Sequence, residues 1–178
     1  MKRLSEEFGF QHAGHATPLL ADGSDAPHIE RSYAAQELMD MRALTIRQPY
    51  ADAIIWGGKR TENRVRALSA FHLGATVLIH AAKATHASEV SASDLGLDTA
   101  PGARGAIIGT AVLDACHQAS AEGCCAPWGM LGFWHWTLRD VRSLPRPVEA
   151  AGRLGLWVPA EEVVRNVLAQ SPEPRPVR

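Results

Sequence analysis

The chain has 178 residues, 46% of them hydrophobic and 21% charged, and a net charge of −1. That is enough for one domain with a real core plus some tail, and too apolar for a wholly disordered protein. No apolar run approaches the roughly 18 residues of a bilayer span, residues 1–10 lack the apolar stretch of a signal peptide, and three cysteines make no disulfide framework, so a reduced, cytoplasmic protein is expected. Charge is unevenly placed. Residues 1–40 hold three basic and seven acidic residues, whereas the remainder is mildly basic, a balance that permits polyanion binding without requiring it. Fifteen arginines stand against three lysines, two of which, Lys59 and Lys83, lie in the body. A lysine kept against such a bias points to a compact point charge or a tunable base, neither of which arginine supplies.

In chain order, residues 1–40 read as an extension, aperiodic over 12–27 and with helical potential over 29–39. Residues 42–47 alternate around Leu44 and Ile46 as a strand. Gln48-Pro49 then starts a helix, with Pro49 suited to its first position, and Gly57-Gly58 ends it. Residues 61–66 extend as a strand, 75–80 form a buried strand, 85–95 a helix or helical loop, and 106–116 a long apolar strand. Residues 119–129 are loop or short helix, 133–141 an alternating strand, 142–147 a turn, 154–158 a short strand and 159–168 a C-terminal helix. About six strands with two or three helices, not regularly alternating, predict an α+β domain over 41–170, a small curved sheet or barrel with helices at its rim. Residues 171–178 form a Pro/Arg tail.

The densest chemistry lies between the first helix and the second strand. Gly57, Lys59, Glu62 and Arg64 spell G-x-K-x-x-E-x-R. On an extended segment Glu62 and Arg64 share one face, and Lys59 at the turn can lean over it, leaving a carboxylate flanked by two cations. Charge pattern alone also fits a solvated ion-pair cluster at a turn.

The segments "ALTIRQPYADAIIWGGKRTENR", "ATVLIHAAKAT", "GAIIGTAVLDAC" and "FWHWTLRDVRSLPRPVEAAGRLGLW" together resemble the ASCH family, named for activating signal cointegrator homology, over residues 41–158. The resemblance implies a PUA-like β-barrel and RNA or nucleotide binding in a cleft beside the motif. It places Lys59, Glu62, Asn63 and Arg64 in the cleft, with Gln48, Pro49 and Tyr50 as part of its wall and Lys83 as a cation at the rim. Lysine and arginine engage phosphate, Glu62 can accept from an exocyclic amine or a sugar hydroxyl, and an aromatic can stack on a base. Tyr50, Trp128 and Trp134 are the candidate stackers. Trp134 and Trp136 are expected to leave their strand on opposite sides, so that at least one enters the core with Trp157, and Trp128 is the tryptophan expected to be exposed. His80, at the end of a strand, is a further binding candidate.

The resemblance also carries an enzymatic alternative. Some small ASCH proteins are amidohydrolases acting on N4-acetylcytidine, with a lysine, a threonine and a glutamate in the reaction. Lys59 matches the lysine, but Glu62 stands where the threonine belongs, and Thr61 faces the other side of the strand. Other members are assigned ribonuclease activity, for which Lys59 and Tyr50 could act as acid and base. If the protein is an enzyme, Lys59, Glu62 and Tyr50 are the catalytic candidates. No cofactor is expected. Cys116-His117 and Cys124-Cys125 match no zinc spacing, so buried cysteines and no metal are expected. The expected partners are RNA, single-stranded nucleic acid or a nucleotide, with no membrane, and a protein partner could bind the N-terminal extension.

Overall fold

The apolar runs of the sequence become the central strands of one mixed sheet. The computed structural model describes residues 41–85 and 90–170, so the expectations for residues 1–40 and 171–178 lie outside the described residues. Six strands are described: β1 (Arg42–Gln48), β2 (Thr61–Arg64), β3 (Thr76–Thr85), β4 (Ala106–Gln118), β5 (Trp134–Glu149) and β6 (Leu156–Trp157). Two α-helices accompany them, α1 (Tyr50–Ile55) and α2 (Glu161–Leu168). The strand order is β2-β5-β4-β3-β1-β6, with β1 and β3 parallel and every other pair antiparallel.

Side chains alternate between two cores. Leu44, Ile46, Val77, Ile79, Ile108 and Leu113 join Ala51 and Ile54 of α1 in one cluster, together with Trp136 and Leu138. Ala43, Leu78, Ile107 and Val148 join Trp157 and the buried stripe of α2, Val164 and Val167, in the other. Central strands covered on both faces need no polar side, which is why β3 and β4 read as nearly continuous apolar runs.

Several boundaries differ from the sequence expectation. The strand expected to end at His80 continues to Thr85, and the helix expected over 85–95 is, where described, only a 3₁₀ turn at Ser93–Leu95. The turn expected at 142–147 is strand: β5 runs through it to Glu149. Three register shifts against β4 and a positive φ of 49° at Asp140 bend β5 without ending it. β2 pairs only with Thr137 to Trp134, so the far half of β5 pairs with β4 alone among the described strands, and Pro145 and Pro147 fall in the register shift between Ser143 and Val148, where they cost no ladder bond. Pro49 is the N-cap of α1 rather than its first residue.

The expected barrel is not closed by backbone pairing, because β2 and β6 remain the edges of the sheet. The sheet curls enough, however, for Arg64 on edge strand β2 to donate from Nη2 to the backbone carbonyl of Thr45 on β1, at 2.9 Å. One side chain thus spans the gap that a closing ladder would fill.

Candidate functional site

The charged motif begins where α1 stops. The amides of Gly57 and Lys59 both donate to the carbonyl of Ala53, at 2.9 Å each. Two glycines are needed for different reasons. A Cβ on Gly57 would lie 3.0 Å from the Cα of Ala53, and Gly58 has φ +69°, the left-handed region that favours glycine. Arg60 closes the turn from outside, donating to the carbonyls of Ile54 and Lys59.

The chain then enters β2, where Glu62 and Arg64 lie opposite Trp136 and Trp134 of β5. The three charged groups of the motif form one chain. Lys59 Nζ donates to Glu62 Oε2 at 2.9 Å and to the carbonyl of Thr61, and Arg64 Nη2 lies 3.2 Å from Glu62 Oε1. Exposure rises along this chain, from 3% for Lys59 to 12% for Glu62 and 22% for Arg64. The Arg64 guanidinium stands 5.7 Å from the centre of a Trp136 ring, within cation–π range. Its Nε is buried and has no hydrogen-bond partner among the described residues. Two cations share one carboxylate, so the cluster keeps a net positive charge and an unused donor.

Trp134 and Trp136, two residues apart on a strand, share one face rather than opposite ones. Trp136 is core and donates from Nε1 to the carbonyl of Arg66. Trp134 is half-buried and, like Tyr50, packs against the same cluster. The motif therefore borders an aromatic wall on the inner face of the curl.

Other expected site residues lie elsewhere or are already engaged. Gln48 is buried and works within the fold: its Oε1 accepts from the amide of Asp52, and its Nε2 donates to Asp52 Oδ1 and to the carbonyl of Ala103. Asp52, which the sequence reading missed, also accepts from the amide of Gly102. Burial raises its carboxyl above the usual range, against the lowering effect of these hydrogen bonds. The network ties the start of α1 to the 102–103 loop, and Pro49 is buried beside it. Asn63, between Glu62 and Arg64, points to the opposite face, donating to the carbonyl of Trp128 and accepting from the amide of Met130. Trp128 is therefore held over the outer face and is half-buried, not on the side of Glu62. Lys83 is exposed on β3.

His80 is 1% exposed and faces Trp157 edge-on in the second cluster, so it is a core histidine. Its Nε2 lies 3.0 Å from the carbonyl of Ala150, which can only accept, so Nε2 carries the proton and the buried Nδ1 is left without a partner. Burial lowers its pKa. Stability from the neutral ring is then full above the unfolded value of about 6.5 and is lost as pH falls through the lower folded value. Thermal melts from pH 8 to pH 5 will show this decline, and His80→Gln will flatten it. An unchanged pH profile in a folded variant would exclude His80 as its source.

The ASCH domain model matches residues 44–163, more than half of the chain. The chain belongs to the ASCH family. Among solved structures, the ASCH protein of Zymomonas mobilis is similar to it with 18% identity, a TM-score of 0.48, and coverage of 72% of this chain and 94% of that one. Two single-substitution variants of that protein give 21% and 20% identity, TM-scores of 0.48 and 0.46, coverage of 74% and 75% of this chain, and 99% and 98% of theirs. No curated protein matches the chain. The described part of this ASCH domain contains no helix long and apolar enough to cross a membrane.

Proposed function

We propose that this ASCH domain binds RNA, as a single strand, or a modified nucleotide, on the inner face of its curled sheet, with Arg64 as the principal contact. The observation that carries the reading is the buried, unpartnered Nε of Arg64 within a cluster whose cations outnumber its carboxylate. A buried donor seeks an acceptor, and a phosphate or base carbonyl oxygen would satisfy it while balancing the charge. Glu62 would orient Arg64 and offer its remaining lone pairs to an amine or hydroxyl. Half-buried Trp134 and Tyr50 on the same side supply stacking surface. Lys59 has two of its three donors engaged and is almost fully covered, which supports a holding role over proton transfer.

Arg64→Gln tests this reading without reversing a half-buried charge. Loss of one charge-assisted contact will weaken binding of a single-stranded oligoribonucleotide by about tenfold or more. It will also reduce the slope of log affinity against log salt by about 0.7. Circular dichroism checks that the variant is folded, and a folded variant binding RNA and nucleotides as tightly as the parent would end the proposal. Incubation with N4-acetylcytidine and with RNA, followed by mass and by gel, addresses the hydrolase alternative. Turnover that disappears in Lys59→Met would favour it.

A further inference from the structure

The outer face of the same sheet carries a second constellation. His117 on β4 and His135 on β5 are directly opposed across the ladder, their rings 5.3 Å apart and nearly perpendicular. The β4–β5 loop folds back over them and brings Cys124 and Cys125. One ligand atom from each of these four residues lies within 4.8 Å of all the others. Cys124 Sγ is 3.5 Å from His117 Nε2 and 3.2 Å from His135 Nδ1, and Cys125 Sγ is 3.4 Å from His117 Nε2.

We propose that His117, Cys124, Cys125 and His135 bind one zinc ion, which staples the β4–β5 loop to the outer face of the sheet. With bonds of about 2.3 Å to sulfur and 2.0–2.1 Å to nitrogen, a tetrahedral site has sulfur–nitrogen edges of about 3.5 Å. The three observed separations fit those edges. Thiol–imidazole hydrogen bonding accounts for them less well, since both sulfurs approach His117 Nε2, which has one proton or one lone pair and so can make only one straight hydrogen bond. The histidine tautomer also fits. His135 Nε2 lies 3.0 Å from the carbonyl of Met130, so it carries the proton and leaves the Nδ1 lone pair facing the cluster. Such an outer hydrogen bond is the usual companion of a ligating histidine. Two thiolates with two imidazoles select zinc among the common divalent ions, and four protein ligands close the coordination shell, as in structural sites.

Adjacent cysteines converge here because the backbone is bent to allow it. Cys125 has φ 58°, a conformation uncommon outside glycine, which turns its side chain back beside that of Cys124. The carbonyl of Cys125 accepts from the amides of Trp128 and Gly129, fixing the turn. A Cβ on Gly129 would lie 2.1 Å from the carbonyl oxygen of Cys124 and 2.7 Å from His135 Cε1, so only glycine allows the loop this close to the ring. Asn63 of β2 binds the same loop on both sides of Gly129, linking it to the strand that carries Glu62 and Arg64. Cys116 is separate: it packs on the inner cluster, and its sulfur accepts from the amide of Leu68.

The full chain, purified without added metal or chelator, will contain about one zinc per chain by elemental mass spectrometry. Reloaded with cobalt(II), it will show the strong visible bands of tetrahedral coordination and a thiolate-to-cobalt charge-transfer band. The charge-transfer band will be lost or reduced in Cys124→Ser and Cys125→Ser, the tetrahedral bands will be weakened in His117→Gln, and both will persist in Cys116→Ser. Should the serine variants not fold, the parent chain decides. Chelation will lower its melting temperature, and zinc but not magnesium will restore it. Absence of zinc together with a cobalt spectrum lacking thiolate charge transfer would overturn the proposal. So would a melting temperature indifferent to chelator, or a Cys124–Cys125 disulfide in freshly purified protein.

Discussion

Glu62→Gln will lower the unfolding free energy by about 3–5 kcal/mol, the usual cost of removing one partner from a buried charge cluster. The substitution keeps size and shape, so the loss reports on charge. Glu62 is the only acid in the chain formed with Lys59 and Arg64. Without its charge, a 3%-exposed ammonium has the Thr61 carbonyl and at most a neutral amide oxygen in place of a carboxylate, and Arg64 has the Thr45 carbonyl and the Trp136 ring but no counterion among the described residues. Lys59→Met will cost less, because Glu62 still has Arg64 at 3.2 Å and the methionine fills the space of the lysine stem. Urea denaturation of the two variants and the parent measures both numbers. A Glu62→Gln loss within the range of about 0–1 kcal/mol found for exposed pairs would mean that the cluster is solvated after all. A loss no larger than that of Lys59→Met would remove the special role given to the carboxylate. The direction matters for function too. A site stabilised by its own carboxylate in the free state holds two cations in place before any ligand arrives, which reduces the ordering cost of binding.

The elements whose identity rests on local pattern were legible in the sequence. The strand around Leu44 and Ile46, the short helix closed by Gly57-Gly58 and the shared side of Glu62 and Arg64 follow from periods of 2 and 3.6 and from glycine chemistry. What was not legible depends on which strand lies beside which. Residues 142–147 looked like a turn, but Pro145 and Pro147 fall in the irregular stretch of β5 between Ser143 and Val148, where the register shifts and no residue pairs with β4. His80 looked like a site residue at a strand end, but β3 continues and Trp157 covers it. Asn63 belongs to the motif by sequence and to the opposite face by geometry. His117 and His135 are 18 positions apart in sequence. Their opposition is a fact of the β4–β5 register, which zinc spacings drawn from contiguous motifs do not encode. Asp52 could have been suspected from its place on the buried face of α1, between Ala51 and Ala53, where an acid needs partners.

Trp136→Ala will cost about 3–5 kcal/mol, the range for removing a large buried aromatic. Trp136 is 7% exposed, belongs to the cluster between the curled sheet and α1, and spends its Nε1 proton on the carbonyl of Arg66. Trp136→Phe separates the contributions. Phenylalanine keeps most of the apolar contact and a ring face for Arg64, but leaves the Arg66 carbonyl to find another donor. Arg66 is exposed, so water can replace the lost donor, and the cost is about 0.5–1.5 kcal/mol, that of one ordinary hydrogen bond, combined with a smaller packing loss. The two variants should also part in binding. If the Arg64 guanidinium is held in position by the ring, Trp136→Phe will retain most of the affinity for single-stranded RNA, and Trp136→Ala, where folded, will lose it together with the Arg64 contribution. The double variant Trp136→Leu with Arg64→Gln, set against its two single variants, then shows whether the two act as a unit, since leucine removes the ring and residues in contact give non-additive losses. Additive effects on both stability and RNA affinity would mean that the 5.7 Å approach of Arg64 to Trp136 is only proximity. A coupling of about 0.5–1 kcal/mol, the size of an exposed cation–π pair, would make the tryptophan part of the binding surface rather than only part of the core beneath it.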